Sequence, residues 1–106
     1  MDSNEKIKEA LIIACIKSRP SYFKPYLSSI NVTTEWANKE IFYKFFKYIL
    51  STSRKISEGK LHLIIKLTEK DNIKHYEFFD TVHLHSRLTI IVKEYNDSIH
   101  LDIIPF

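Results

Sequence analysis

Ile7, Ala10, Leu11 and Ala14 recur at three- and four-residue intervals while Lys6, Lys8, Glu9 and Lys17 fall between them. This period predicts a helix from about Ser3 to Ser18, capped by Asp2 or Ser3, with Glu5 favourably placed in its first turn. Ile12, Ile13 and Ile16 widen the apolar arc, so the second half is expected to be buried on most sides, and Pro20 ends it. The stretch Ser21 to Asn31, with Tyr22, Phe23 and Tyr26 around Pro25, predicts a short helical turn near Tyr26 to Ile30. Its aromatics are expected to plug the gap between two helices. The second long helix is expected from Glu35 to about Lys55, capped by Thr33 or Thr34. Ile41, Phe42, Phe45, Phe46, Ile49 and Leu50 make its buried side. Glu40, Lys44, Lys47, Ser51 and Lys55 make a stripe that reads as a solvated face, interrupted by Glu40.

Beyond Gly59 the period changes from helical to two. Alternating runs cover about Lys60 to Glu69, Ile73 to Asp80, Arg87 to Glu94 and Ser98 to Ile104, with turn signals at Lys70-Asp71-Asn72 and Asn96-Asp97. One set of side chains is almost wholly apolar: Leu61, Leu63, Ile65, Leu67, Tyr76, Phe78, Leu88, Ile90, Val92, Ile99, Leu101 and Ile103. Hairpin connections imply an antiparallel meander with helices on one face. The expected architecture is therefore α+β: two main N-terminal helices packed on one face of a four-stranded antiparallel meander, in a single domain over residues 1–106.

The alternate set is neither core nor plain surface. His62, Ile64, Lys66, His75, Glu77, Phe79, Thr89, Ile91, Lys93, His100, Asp102 and Ile104 mix large apolar groups with charge, the make-up of a recognition surface. Ile64, Lys66, Glu77, Phe79, Ile91, Lys93 and Asp102 are the expected partner-binding residues, with Phe79 and Ile91 as anchors. Burial of Ile64, Phe79, Ile91 and Ile104 under a helix, or in a homodimer, is the competing expectation.

Composition narrows the chemistry. A net charge of +3 is a mild excess, and most lysines have acidic neighbours, so a nucleic-acid-binding module is an alternative that is not favoured. Cys15 is the only cysteine and falls in an apolar helix, which leaves no internal disulfide and no cysteine zinc cluster. The start Met-Asp-Ser-Asn-Glu lacks the basic opening of a secretory signal, and the apolar run Ala10 to Ile16 is too short to span a bilayer. A cytoplasmic protein without membrane contact is expected. A single glycine excludes the phosphate-cradling loop and the dinucleotide fingerprint, so no cofactor is expected.

The histidines are the one enzymatic lead. His83-Leu84-His85 would place both rings on one face of an extended chain, and His62, His100 and Asp102 share the alternate sheet face. Such groups suit acid–base work in a small metal-independent ribonuclease or another His-dependent hydrolase. They are spread over several strands, so neither a catalytic constellation nor a metal site is assigned.

The run NVTTEWANKEIFYKFFKYIL, with its aromatic helix, resembles the helix of small bacterial immunity proteins. So does the order of two helices followed by a meander ending in LDIIPF. Those proteins are the cytoplasmic partners of polymorphic and contact-dependent growth-inhibition toxins. The resemblance implies a non-enzymatic inhibitor that binds a cognate toxin domain and masks its active site. Immunity proteins against nuclease toxins are commonly acidic, whereas this chain is basic. Its toxin would then be acidic near the contact, or be bound away from the active site.

Overall fold

A computed structural model of the chain describes residues 3–35, 38–56, 63–71, 73–80 and 84–105, without the side chains of residues 3, 56, 63–66 and 105. Helix α1 (Ser3–Ile16) is followed by a 3-10 turn (Pro20–Tyr22) and a single-turn helix α2 (Lys24–Leu27). Strand β1 (Val32–Thr34) precedes helix α3 (Lys39–Ile56), and β2 (Leu63–Lys70), β3 (Ile73–Asp80), β4 (Ser86–Glu94) and β5 (Ile99–Pro105) complete the chain.

The four expected strands form the antiparallel meander, but the sheet is five-stranded and mixed, in the order β1-β5-β4-β3-β2. The additional strand pairs parallel to β5, with Val32 opposite Ile99 and Thr34 opposite Leu101. Val32-Thr33-Thr34 is a β-branched triplet suited to a pleated surface. Its ladder is bracketed by Ile99 N–H donating to the Asn31 carbonyl at 2.9 Å and Glu35 N–H donating to the Leu101 carbonyl at 3.0 Å. With its backbone committed to β5, this segment cannot begin a helix, so neither Thr33 nor Thr34 caps one. Asn38 does instead: its Oδ1 accepts from Ile41 N–H at 2.9 Å and its carbonyl from Phe42 N–H at 3.1 Å. The short helical turn likewise lies at Lys24–Leu27, earlier than expected, with Pro25 in its first turn, where a missing N–H costs nothing.

One hydrophobic core fills the space between helices and sheet. Ile7, Leu11 and Ala14 of α1 and Phe42, Phe46, Ile49 and Leu50 of α3 meet Tyr76, Phe78, Leu88, Ile90, Val92, Ile99, Leu101 and Ile103. Phe23 packs edge-on against Phe46 at 6.3 Å between ring centroids, and Phe42 stacks on Phe46 at 6.5 Å. Cys15 is fully buried, and burial pushes its thiol well above the ordinary range, which makes it an unreactive core residue. Leu67 shares the helix-facing parity of β2 yet is 53% exposed, because β2 is the outermost strand.

Three polar sites tie the elements together. Asn4 Nδ2 donates to the carbonyls of Tyr95 and Ser98, joining the start of α1 to the β4–β5 turn. Lys8, only 4% exposed, places its Nζ 2.7 Å from Glu5 and 3.0 Å from Glu94, and Lys74 meets Glu94 at 3.5 Å. Burial disfavours the Lys8 ammonium, but the two carboxylates outweigh it and hold its pKa above the usual lysine range. At the far end of the sheet the fully buried Asp80 accepts from Arg87 Nε at 2.5 Å and so clamps β3 to β4.

The aromatic cluster generates a stability prediction. Phe46→Ala should cost about 3–5 kcal/mol, the usual range for emptying a buried aromatic site. Phe46→Leu should cost markedly less. Urea denaturation of the three proteins gives the comparison, and a loss below about 1 kcal/mol for the alanine variant would remove Phe46 from the heart of the core.

Candidate functional site

Strand parity and register decide which side chains share the outer face. Across the sheet, Thr68, His75, Ile91 and Asp102 stand in one row. Lys66, Glu77, Thr89 and Ile104 form a second, and Ile73, Lys93, His100 and Thr33 a third. Ile64 is opposite Phe79. All seven expected partner-binding residues therefore occupy positions of one parity, on strands spaced about 4.8 Å apart. For Ile64 and Lys66 this is a statement of register, since their side chains lie outside the described residues.

The face has a definite layout. Ile91 holds its centre, with His75 on one side and Asp102 on the other. Phe79 stands toward one end, opposite Ser86, where the β3–β4 register shifts between Phe78 and Phe79. His75, Glu77, Phe79, Ile91, Lys93, His100 and Asp102 are all half-buried, Thr89 is buried, and Ile104 is exposed. None of them belongs to the hydrophobic core cluster. Half-burial without helix cover is what a pleated surface of long side chains produces, each flanked by cross-strand neighbours. Asp102 Oδ1 accepts from Ile103 N–H at 2.8 Å, so one of its oxygens is already engaged by its own strand.

Of the histidines that formed the enzymatic lead, His85 and His100 fall among the described residues. His62 and His83 lie outside the described residues. Leu84, beside His85, has φ of 57°, a left-handed conformation, so the backbone is not extended at Leu84. Among the described residues, no three of His, Cys, Asp and Glu converge as a metal-ligand set.

His100 finds different partners, which the sequence reading missed. Its Nδ1 lies 2.8 Å from Thr33 Oγ1 and its Nε2 lies 3.0 Å from Glu35 Oε2. Glu35 only accepts, so Nε2 carries the proton, and in the neutral imidazole Nδ1 accepts from the Thr33 hydroxyl. The signal was present as i,i+2 spacing, since Thr33 and Glu35 point the same way only if Val32–Thr34 is a strand. The hydrogen bond from His100 and the charge of its ring, with a contribution from Lys93, hold the Glu35 carboxyl below its ordinary value of 4.5. The array has the polarity of a general base oriented by a carboxylate, on an open face at the edge strand.

A second surface feature lies on the helical side. Tyr22 and Tyr26, both exposed, line an open groove of about 380 Å³ with Lys6, Glu9, Ala10 and Ile13. Lys17 Nζ sits 5.7 Å from the Tyr22 ring centroid. The aromatics of this segment thus divide: Phe23 plugs the core as expected, whereas Tyr22 and Tyr26 face outward. Among the described residues, no helix is long and apolar enough to cross a membrane. No known family model matches the chain, and no curated protein matches it in sequence.

The Glu35–His100 contact has a defined pH signature. A carboxyl whose pKa is depressed by folding adds stability that is present above its unfolded value and lost as pH falls through the folded one. The melting-temperature difference between wild type and Glu35→Gln should therefore shrink as pH drops below 4.5. Thermal melts at a series of pH values measure it. A difference independent of pH would mean that the carboxylate charge plays no part.

Proposed function

We propose that the protein is a non-enzymatic immunity protein that neutralises a cognate toxin domain by binding it directly through the outer sheet face. The observation that carries this reading is the row Thr68–His75–Ile91–Asp102, with an apolar centre and polar neighbours, on a face outside the hydrophobic core. An aliphatic anchor surrounded by a polar rim is the arrangement in which a few residues supply most of the binding energy. The rim contains both signs, with Lys66, Lys93, Glu77 and Asp102, and so suits a partner surface of mixed charge. The resemblance of the aromatic second helix and the order of elements to small immunity proteins supplies the partner class. In this reading the protein acts in the cytoplasm, where its toxin would be met, and needs no cofactor.

A specific observation favours a second reading, a small metal-independent ribonuclease or other His-dependent hydrolase. His100 is held between the Thr33 hydroxyl and the Glu35 carboxylate, and this array would supply a general base. His100→Ala separates the two: it should abolish turnover in a hydrolase, and it should leave growth protection in place if the protein is an inhibitor.

An adjacent upstream toxin gene would favour this reading, and protection of cells against that toxin is the direct test. Soluble protein that fails to protect them would sink the immunity reading. Ile91→Asp should weaken toxin binding by about 2 kcal/mol or more, the loss typical of a central anchor. The fold should survive, because Ile91 stands on the parity opposite to Ile90 and Val92. Calorimetric titration with the toxin domain, beside a thermal melt of the free variant, reads both effects. Unchanged affinity in a folded variant would move the contact to the Tyr22–Tyr26 groove.

A further inference from the structure

The charge of the chain is not spread over its surface. Five of its 16 lysines and arginines lie in α3 against one of its 13 acids, so this helix carries +4 and the rest of the chain −1. The single acid, Glu40, sits in the first turn with its Oε1 3.6 Å from Lys44 Nζ. It therefore marks the end of the basic surface and does not interrupt it, as the linear sequence had suggested. Lys39 is also set apart, because its Nζ donates to the Ser29 carbonyl.

What remains is a ridge. At about 100° per residue, Lys44, Lys47, Tyr48, Ser51 and Lys55 fall within one arc roughly 100° wide, with Arg54 at its border. All six are exposed, Tyr48 at 66%. The ridge continues onto α2, where Lys24 Nζ approaches the Tyr43 ring to 5.5 Å while Lys47 Nζ approaches the same ring to 5.8 Å. Two ammonium groups thus gather at one aromatic, which orders them without neutralising either. Phe42, Phe46, Ile49 and Leu50 face the core from the other side of the helix, so the ridge points away from the sheet.

We propose that this ridge binds the phosphate backbone of single-stranded nucleic acid, a function separate from the protein contact assigned to the sheet. A row of lysines along one helix offers point charges to a polyanion. Tyr48, exposed among them, offers a ring on which an unpaired base stacks. With Arg54 as its only guanidinium, the ridge lacks the bidentate set that reads base edges in a duplex groove, so recognition is tolerant of sequence. An acidic protein is the less suitable occupant, since protein interfaces centre on buried apolar anchors and the middle of the ridge holds lysines around a solvent-facing tyrosine.

Fluorescence anisotropy with labelled 20-nucleotide single strands, RNA and DNA of one sequence, tests the proposal on the full chain. Five cationic contacts predict that log K falls with log salt at a slope of about −3.5, at roughly 0.7 per contact for single strands. Lys44→Gln with Lys47→Gln should reduce that slope by about 1.4. Tyr48→Ala should weaken binding about tenfold, the equivalent of one lost base stack. Lys6→Gln on α1 should change neither. Circular dichroism checks folding, and the pair Lys47→Gln and Lys55→Gln reads the same slope if the first double variant does not fold. No binding at about 50 mM salt, tighter binding to a duplex of the same sequence, equal competition by polyglutamate, or a double variant indistinguishable from Lys6→Gln would each overturn the proposal.

Discussion

Everything in this structure depends on the sheet burying one of its two faces. Along β3, β4 and β5 every second side chain enters a core completed by Phe42 and Phe46 from α3 and by Ile7, Leu11 and Ala14 from α1. Because the period of a strand is two, that commitment sends the intervening residues to the opposite face as a set. A slip of one residue would bury His75, Glu77, Lys93 and Asp102 together, so the register is held by the cost of desolvating those charges. The outer face is thus the necessary counterpart of the core.

The same packing separates two surfaces of different character. On the sheet, Lys93, Glu77 and Asp102 stand around Ile91 on a largely half-buried face that carries both signs of charge. On the far side of the helical layer, α3 carries +4, more than the whole net charge of the chain, on the side opposite to Phe42, Phe46, Ile49 and Leu50. A face of mixed charge with an apolar centre selects partners by shape and local pairing, whereas a basic ridge attracts any polyanion with a strong dependence on salt. The two are divided by the thickness of the core, and occupancy of one leaves the other accessible.

At the edge of the sheet, β1 shows how a three-residue strand changes the chemistry available. Parallel pairing with β5 sets Thr33 beside His100, and the extended backbone carries Glu35 to the other ring nitrogen. Had this segment opened a helix, these three groups would have diverged. The Asn38 cap is the reason both elements fit, since it starts α3 after the last backbone bond to Leu101.

Much of this was legible in the amino-acid order. Helical spacing of Ile7, Ala10, Leu11 and Ala14, and of Phe42, Phe46, Ile49 and Leu50, marked both main helices and their buried sides. Alternation marked the meander and assigned Ile91, Lys93, Glu77 and Asp102 to its outer face. These features are local, because a periodic pattern states its own orientation once an apolar side must be buried. What the order of residues left open depends on groups far apart in the chain. Thr33 and Thr34 have the chemistry of helix caps, and only the carbonyl of Leu101, placed beside them by the fold, makes them a strand. His100 lies 67 residues from Thr33, and no spacing rule joins them. Glu40 interrupts a basic stripe when the chain is read as a line and ends a basic ridge when it is wound into α3. Local periodicity is encoded residue by residue, whereas pairing across the sheet and the sum of charge on a surface exist only after the chain has closed on itself.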